Sequence, residues 1–80
     1  MSKADKMFEE LGYKKEEEQN IIYTQKFPNG EKWICFEKNS IAKSFFGVFE
    51  QAGDRMPLIF DMQELQAINE KCKELGWLDE

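Results

Sequence analysis

The sequence predicts an α+β domain in the order α-β-β-β-β-α, an antiparallel four-stranded meander with its N- and C-terminal helices on one face, residues 1–80 forming a single domain. Three observations predict it. Apolar residues recur with helical spacing at the two ends, at Ala4, Met7, Phe8 and Leu11 and again at Met62, Leu65, Ile68, Cys72 and Leu75. Between them the chain is rich in β-branched and aromatic residues, punctuated by Pro28-Asn29-Gly30 and Gly53-Asp54. Of the 80 residues 41% are apolar and 14% aromatic, which suits a folded core, while 34% are charged and interrupt every apolar run, so the chain is not expected to span a membrane.

The first helix starts at Ser2, whose hydroxyl can cap the backbone three residues on at Asp5. It stops at Leu11 or Gly12, where glycine can take the left-handed conformation and let Tyr13 fold back near Phe8 as a Schellman contact. Residues 14–18 are charged on every face and read as a solvated turn or frayed strand start. Residues 20–27 and 31–38 form a hairpin about Asn29-Gly30 as a two-residue turn, setting Phe27 opposite Lys32, Gln25 opposite Ile34 and Tyr23 opposite Phe36. Ile21, Tyr23, Phe27, Ile34 and Phe36 then share the face suited to packing under helices. After an Asn39-Ser40 turn, residues 41–49 carry apolar side chains on both alternating sets, and Gly47 within them suggests a bulge or a close backbone approach. Residues 51–55 read as a loop and 56–60 as a fourth strand, begun by Pro57 or lying at an edge because proline lacks a ladder donor.

The second helix carries the fullest set of start signals. Asp61 and Glu64 have capping-box spacing, and Phe60 and Leu65 stand where a hydrophobic staple would place them. Gly76 and Trp77 repeat the stop at Gly12 and Tyr13, so Glu-Leu-Gly-aromatic occurs twice; one helix-ending geometry needed twice accounts for it.

With no histidine, an enzyme would have to work through carboxylates, cysteines, lysines or tyrosines, and none sits in an activating motif. No catalytic, metal-binding or cofactor-binding residue is expected, and no cofactor. Cys35 and Cys72 fall inside apolar patterns and read as buried, reduced structural thiols, in keeping with a cytoplasmic protein; their spacing fits no zinc motif. The five glycines stand singly, so no phosphate-cradling loop is present.

Net charge is −5, and the acid excess lies in the terminal segments, while residues 21–60 come out at +1. The face of the meander turned away from the helices holds Ile22, Thr24, Lys26, Trp33 and Cys35, with Phe46 or Val48 beside them, a surface more apolar than a monomer keeps bare. Ile22, Thr24, Lys26, Trp33, Cys35 and Phe46 are therefore the candidate partner-binding residues. Their cover is a second copy in a homodimer, another macromolecule such as a host protein, or residues 50–55 folded back. Lys26, Trp33, Lys43 and Phe46 also allow an alternative, a single-stranded nucleic-acid-binding module using that face, which the acidic net charge disfavours.

Residues 2–13 (SKADKMFEELGY) and 62–77 (MQELQAINEKCKELGW) resemble the termini of small uncharacterised proteins of bacteriophages and prophages in Gram-positive bacteria. The resemblance implies a phage-derived protein of the host cytoplasm and brings no activity with it. The expected function is a non-enzymatic accessory protein acting by protein–protein binding, as a homodimer, and modulating a host or defence protein.

Overall fold

The strands rich in β-branched and aromatic residues need shelter on one face, and two short helices supply it. The computed structural model describes residues 2–38 and 41–78. Its elements run α1 (Lys3–Glu10), β1 (Lys14–Glu17), β2 (Ile21–Phe27), β3 (Gly30–Phe36), β4 (Phe45–Gln51), β5 (Asp54–Pro57) and α2 (Met62–Glu74). All strands join in one antiparallel meander of order β1-β2-β3-β4-β5, so the sheet has five strands where the sequence pattern suggested four. The additional one is β1. Its four charged residues show no apolar alternation, because an edge strand exposed on both faces needs none.

Both helix stops are Schellman motifs. Gly12, at φ +95°, donates to Glu9 and Tyr13 to Phe8, while Gly76, at φ +74°, donates to Lys73 and Trp77 to Cys72. The starts also match their signals: Ser2 Oγ accepts from the Asp5 amide at 3.1 Å, and Asp61 and Glu64 form a reciprocal capping box.

The β2–β3 turn differs from the expected one. Phe27 pairs with Gly30, Gln25 with Lys32 and Tyr23 with Ile34, so Pro28-Asn29 rather than Asn29-Gly30 occupies the corner. Neither Asn29 nor Gly30 has the positive φ a type I′ turn would need. Proline's fixed φ suits the first corner position, and Gly30 is required because a Cβ there would collide with the Glu50 carbonyl. The pairing slips by two residues, which preserves the sidedness of every side chain. Ile21, Tyr23, Ile34 and Phe36 are accordingly buried under the helices, whereas Phe27, at the sheet's end, stays 37% exposed.

Further along the chain, β4 starts only at Phe45, leaving Ile41 fully exposed, and the expected Asn39-Ser40 turn lies outside the described residues. The expected loop at 51–55 contracts to the two residues Ala52 and Gly53, at φ +53° and +83° as in a type I′ turn. The fourth expected strand, 56–60, is therefore shifted to Asp54–Pro57: Pro57 ends an edge strand, and residues 58–60 cross over β4 on the helix side. The Leu58 amide donates to the Gly47 carbonyl at 3.1 Å, and a Cβ on Gly47 would lie 2.6 Å from the Phe60 ring. Gly47 thus marks a close approach, with the β3–β4 pairing continuous through it.

The core joins Phe8, Tyr13, Ile21, Tyr23, Ile34, Phe36, Ala67, Ile68 and Cys72. Phe8 stacks on Tyr23 with ring centroids 3.9 Å apart. On α2 the buried face is Glu64, Ala67, Ile68, Lys71 and Cys72, so the expected stripe is rotated: Met62 is 69% and Leu65 45% exposed. Two buried polar clusters that take Glu64 and Lys71 from α2 account for the rotation. Tyr13 donates to Glu64, which also accepts from Lys32 Nζ at 3.1 Å. Tyr23 donates to Asp5 at 2.5 Å, and Lys15 and Lys71 reach the same carboxylate at 3.0 and 3.3 Å. Burying those hydroxyls without a partner would cost more than turning two hydrophobes outward. Among the described residues no buried side-chain nitrogen or oxygen lacks a partner.

Burial alone would raise the Asp5 pKa, but the Tyr23 hydroxyl with Lys15 and Lys71 outweighs it and holds the carboxyl well below its ordinary value. Glu64 is likewise lowered against its burial, by Tyr13, the Asp61 amide and Lys32. Burial, reinforced by the carboxylates, raises both tyrosines above 10. Depressed carboxylates give stability that is complete above their unfolded pKa near 4 and lost as pH falls through the folded value; raised phenols give stability that is complete below about 10 and lost as pH rises further. Chemical denaturation across pH should show a plateau between about pH 5 and 9, and Asp5→Asn should lower it by about 3 kcal/mol while flattening its acid limb. At the type I′ turn, Ala52→Gly should raise stability by about 1 kcal/mol in the same assay, because glycine meets no steric penalty at positive φ.

Candidate functional site

The face opposite the helices consists of rows of side chains set by strand pairing. One row runs Glu16, Ile22, Cys35, Phe46; the next runs Lys14, Thr24, Trp33, Val48, Pro57; the third runs Lys26, Glu31, Glu50, Arg55. The middle of the face is apolar and its turn end is charged. A groove of about 610 Å³ lies over these rows.

All six residues expected from the sequence line this groove: Ile22, Thr24, Lys26, Trp33, Cys35 and Phe46. They come together because the two-residue slip in the hairpin leaves sidedness intact. Val48 joins them, and Glu16, Asn20, Glu31 and Arg55, which the sequence did not single out, complete the lining. Lys43, grouped with the aromatics in the sequence, precedes β4 at φ +51° and does not line the groove. The cation that does reach the aromatic is Arg55, its guanidinium 5.1 Å from the Trp33 ring centroid and its Nε 3.5 Å from Glu50. Reading 51–55 as a loop concealed this: only a two-residue corner at Ala52-Gly53 makes Arg55 a strand residue aligned with Glu50. Residues 50–55 therefore widen the sheet instead of folding over it. Apart from the Arg55 side chain, no segment among the described residues covers Trp33's face of the sheet.

Cys35 forms part of the groove floor at 6% exposure, and burial, with Glu37 beside it, raises its thiol pKa. Cys72 is raised by burial on the helix side, and both thiols are free. A buried, protonated thiol is a poor nucleophile. The two tyrosine–carboxylate pairs lie on the other side of the sheet, and their members are driven apart in pKa, carboxylates down and phenols up, the reverse of groups tuned to exchange protons near neutrality. Among the described residues no group of three or more Cys, Asp and Glu side chains is placed to hold a metal ion, and no helix is long and apolar enough to cross a membrane.

No protein-family model, curated protein or solved structure matches this chain.

The Arg55 guanidinium stacks on an exposed surface, so Arg55→Ala should leave folding stability within about 1 kcal/mol of the parent. Read in a Trp77→Phe background, it should raise acrylamide quenching of the remaining Trp33 by roughly twofold, since the ring loses its cover.

Proposed function

We propose that this chain is a non-enzymatic binding protein whose working surface is the open face of the sheet, with a protein as its partner. The observation that carries the reading is the groove itself, an apolar centre of Ile22, Trp33, Cys35, Phe46 and Val48 with charged residues at its turn end, over which, among the described residues, only the Arg55 side chain reaches. That composition, an aromatic and aliphatic middle with a polar rim, is the anatomy of a protein-binding patch. Residue chemistry supports the non-enzymatic part, since the chain has no histidine and its thiols are buried. The resemblance of its terminal helices to phage and prophage proteins supports an accessory role in a bacterial cytoplasm, where binding would modulate a host or defence protein.

A single-stranded nucleic acid is the less favoured occupant. Lys26 and Arg55 are the cations that line the groove, Glu16 and Glu31 line it with them, and Glu50 is paired to Arg55. Acidic neighbours offset the phosphate attraction that such binding draws on.

A photoreactive phenylalanine analogue placed at Phe46, and separately at the exposed Ile59 on the other side, tests the surface in living cells. Irradiation should yield a discrete protein adduct from position 46 that is weak or absent from position 59. Adducts that disappear on nuclease treatment would transfer the site to nucleic acid, and equal or no adducts from position 46 would remove the sheet face as the working surface.

A further inference from the structure

We infer that the open face of the sheet takes an amphipathic helix of another protein, its apolar stripe over Trp33 and Phe46 and lysine or arginine at the end that lies beside Glu16 and Glu18. The inference rests on the protein-binding reading above and names the partner's chemistry. Strands β2, β3 and β4 have seven residues each. Three strands about 4.8 Å apart, rising about 3.3 Å per residue, make a strip roughly 14 Å wide and 23 Å long. A single helix is about 10 Å across, and roughly 16 of its residues match that length. The strip is smaller than a standard interface between two folded proteins, so the complex is weak and reversible.

The occupant has to satisfy its own backbone. The amides and carbonyls of the three central strands are spent on ladder pairing, and the edges, an all-charged β1 and a proline-ended β5, resist strand addition. An extended segment laid across the face would leave its own amides unpaired against Ile22, Trp33 and Phe46, whereas a helix pairs them internally. The other face of the same sheet already packs two helices in this way.

Charge decides which helix. At the turn end Lys26 and Arg55 are offset by Glu31 and Glu50, so that end is neutral. At the opposite end the groove runs into a second hollow of about 270 Å³, and the two share Glu16, Asn20 and Ile22 as a common wall. Glu18 and Gln19 complete the second hollow; no cation lines it, and Lys14 and Lys43 line neither. Among the described residues Glu16 and Glu18 form no ion pair. Glu37, close enough to raise the Cys35 thiol, adds a third carboxylate at this end. Along the strands Glu16 and Glu18 lie about 7 and 13 Å beyond the row of Trp33. Helix residues one and two turns past the one over Trp33 advance by about 5 and 11 Å, so a lysine or arginine at either reaches a carboxylate. The apolar groove thus holds the stripe, and the acidic hollow selects a cationic end.

A displayed library of peptides of about 16 residues, with leucine and alanine fixed at helical spacing and both flanks randomised, can be selected on the purified full chain. Lysine and arginine should outnumber aspartate and glutamate at one flank by at least about fivefold. The best peptide, made synthetically, should bind in the range of roughly 10 to 100 μM, and Phe46→Lys should weaken it at least about tenfold with the far-ultraviolet spectrum unchanged. Glu16→Gln with Glu18→Gln should weaken it about fivefold while leaving a version with glutamine in place of its flanking cations within about twofold. Should Phe46→Lys unfold, Trp33 emission in the Trp77→Phe background takes its place, and a shift on peptide addition is expected. No flank bias, a bias that persists in the glutamine variant, or binding indifferent to both Phe46→Lys and Trp33 emission would each overturn the inference. So would a dimer in sedimentation equilibrium that Phe46→Lys abolishes, which would give the face to a second copy. A position-46 adduct with a protein lacking a basic amphipathic helix at the cross-link would leave the broader reading standing without this one, and no adduct would end both.

Discussion

Two helices of 8 and 13 residues can roof only one side of a five-stranded sheet, and the rest of the structure follows from that shortage. Side by side, two helices span about 20 Å, close to the width of five strands about 4.8 Å apart. The chain therefore has enough helix for one face and none for the other. The connection through Leu58 and Phe60 fills the remaining gap over β4 on the roofed side, which is why Gly47 must lack a side chain there. Among the described residues no helix lies over the apolar side chains of opposite parity, Ile22, Trp33, Cys35, Phe46 and Val48, which line the groove.

The roof is held by polar contacts as much as by hydrophobic ones. α1 and α2 each bring a carboxylate, Asp5 and Glu64, to a tyrosine hydroxyl, and lysines from the sheet and from α2 close both clusters. A buried hydroxyl or carboxylate tolerates few alternative partners, so these clusters set the rotation of α2 about its own axis. The Ala4 amide donates to Glu74 at 2.9 Å, which ties the start of α1 to the end of α2. Met62 and Leu65 point outward as a consequence. Their exposure follows from turning Glu64 toward Tyr13 and Lys71 toward Asp5.

Legibility in the sequence followed the range of the forces involved. The helix ends were readable because Ser2, Asp61, Gly12 and Gly76 act on backbone groups a few residues away. Sidedness in β2, β3 and β4 was readable because alternation depends on parity alone, and so the six groove residues were found although the hairpin register was set two residues off. What stayed hidden depended on distant partners. β1 is a strand only because β2 offers it hydrogen bonds, and its charged sequence has no pattern of its own. Burial of Glu64 and Lys71 depends on Tyr13 and Asp5, some 51 and 66 residues away in the chain. Arg55 joined the site through a turn whose first corner residue, Ala52, occupies a conformation that alanine rarely adopts, so composition pointed to a longer loop.

The contrast between the edges and the open face bears on the binding reading. Both edges carry devices that deter pairing, an all-charged β1 and a terminal proline in β5, so the sheet is guarded against indiscriminate addition of strands. The middle of the face has no charged residue on its three central strands: Trp33, Phe46 and Val48 are adjacent there, while Glu31, Lys26, Glu50 and Arg55 stand at the turn end and Lys14 and Glu16 on the edge strand β1. A chain that needed only solubility could place one lysine among those three apolar residues at little cost to folding, because the helices do not touch them. Protection at the edges combined with an apolar centre on the face is the pattern expected of a surface that is reserved for one partner, where unguarded edges would have admitted many.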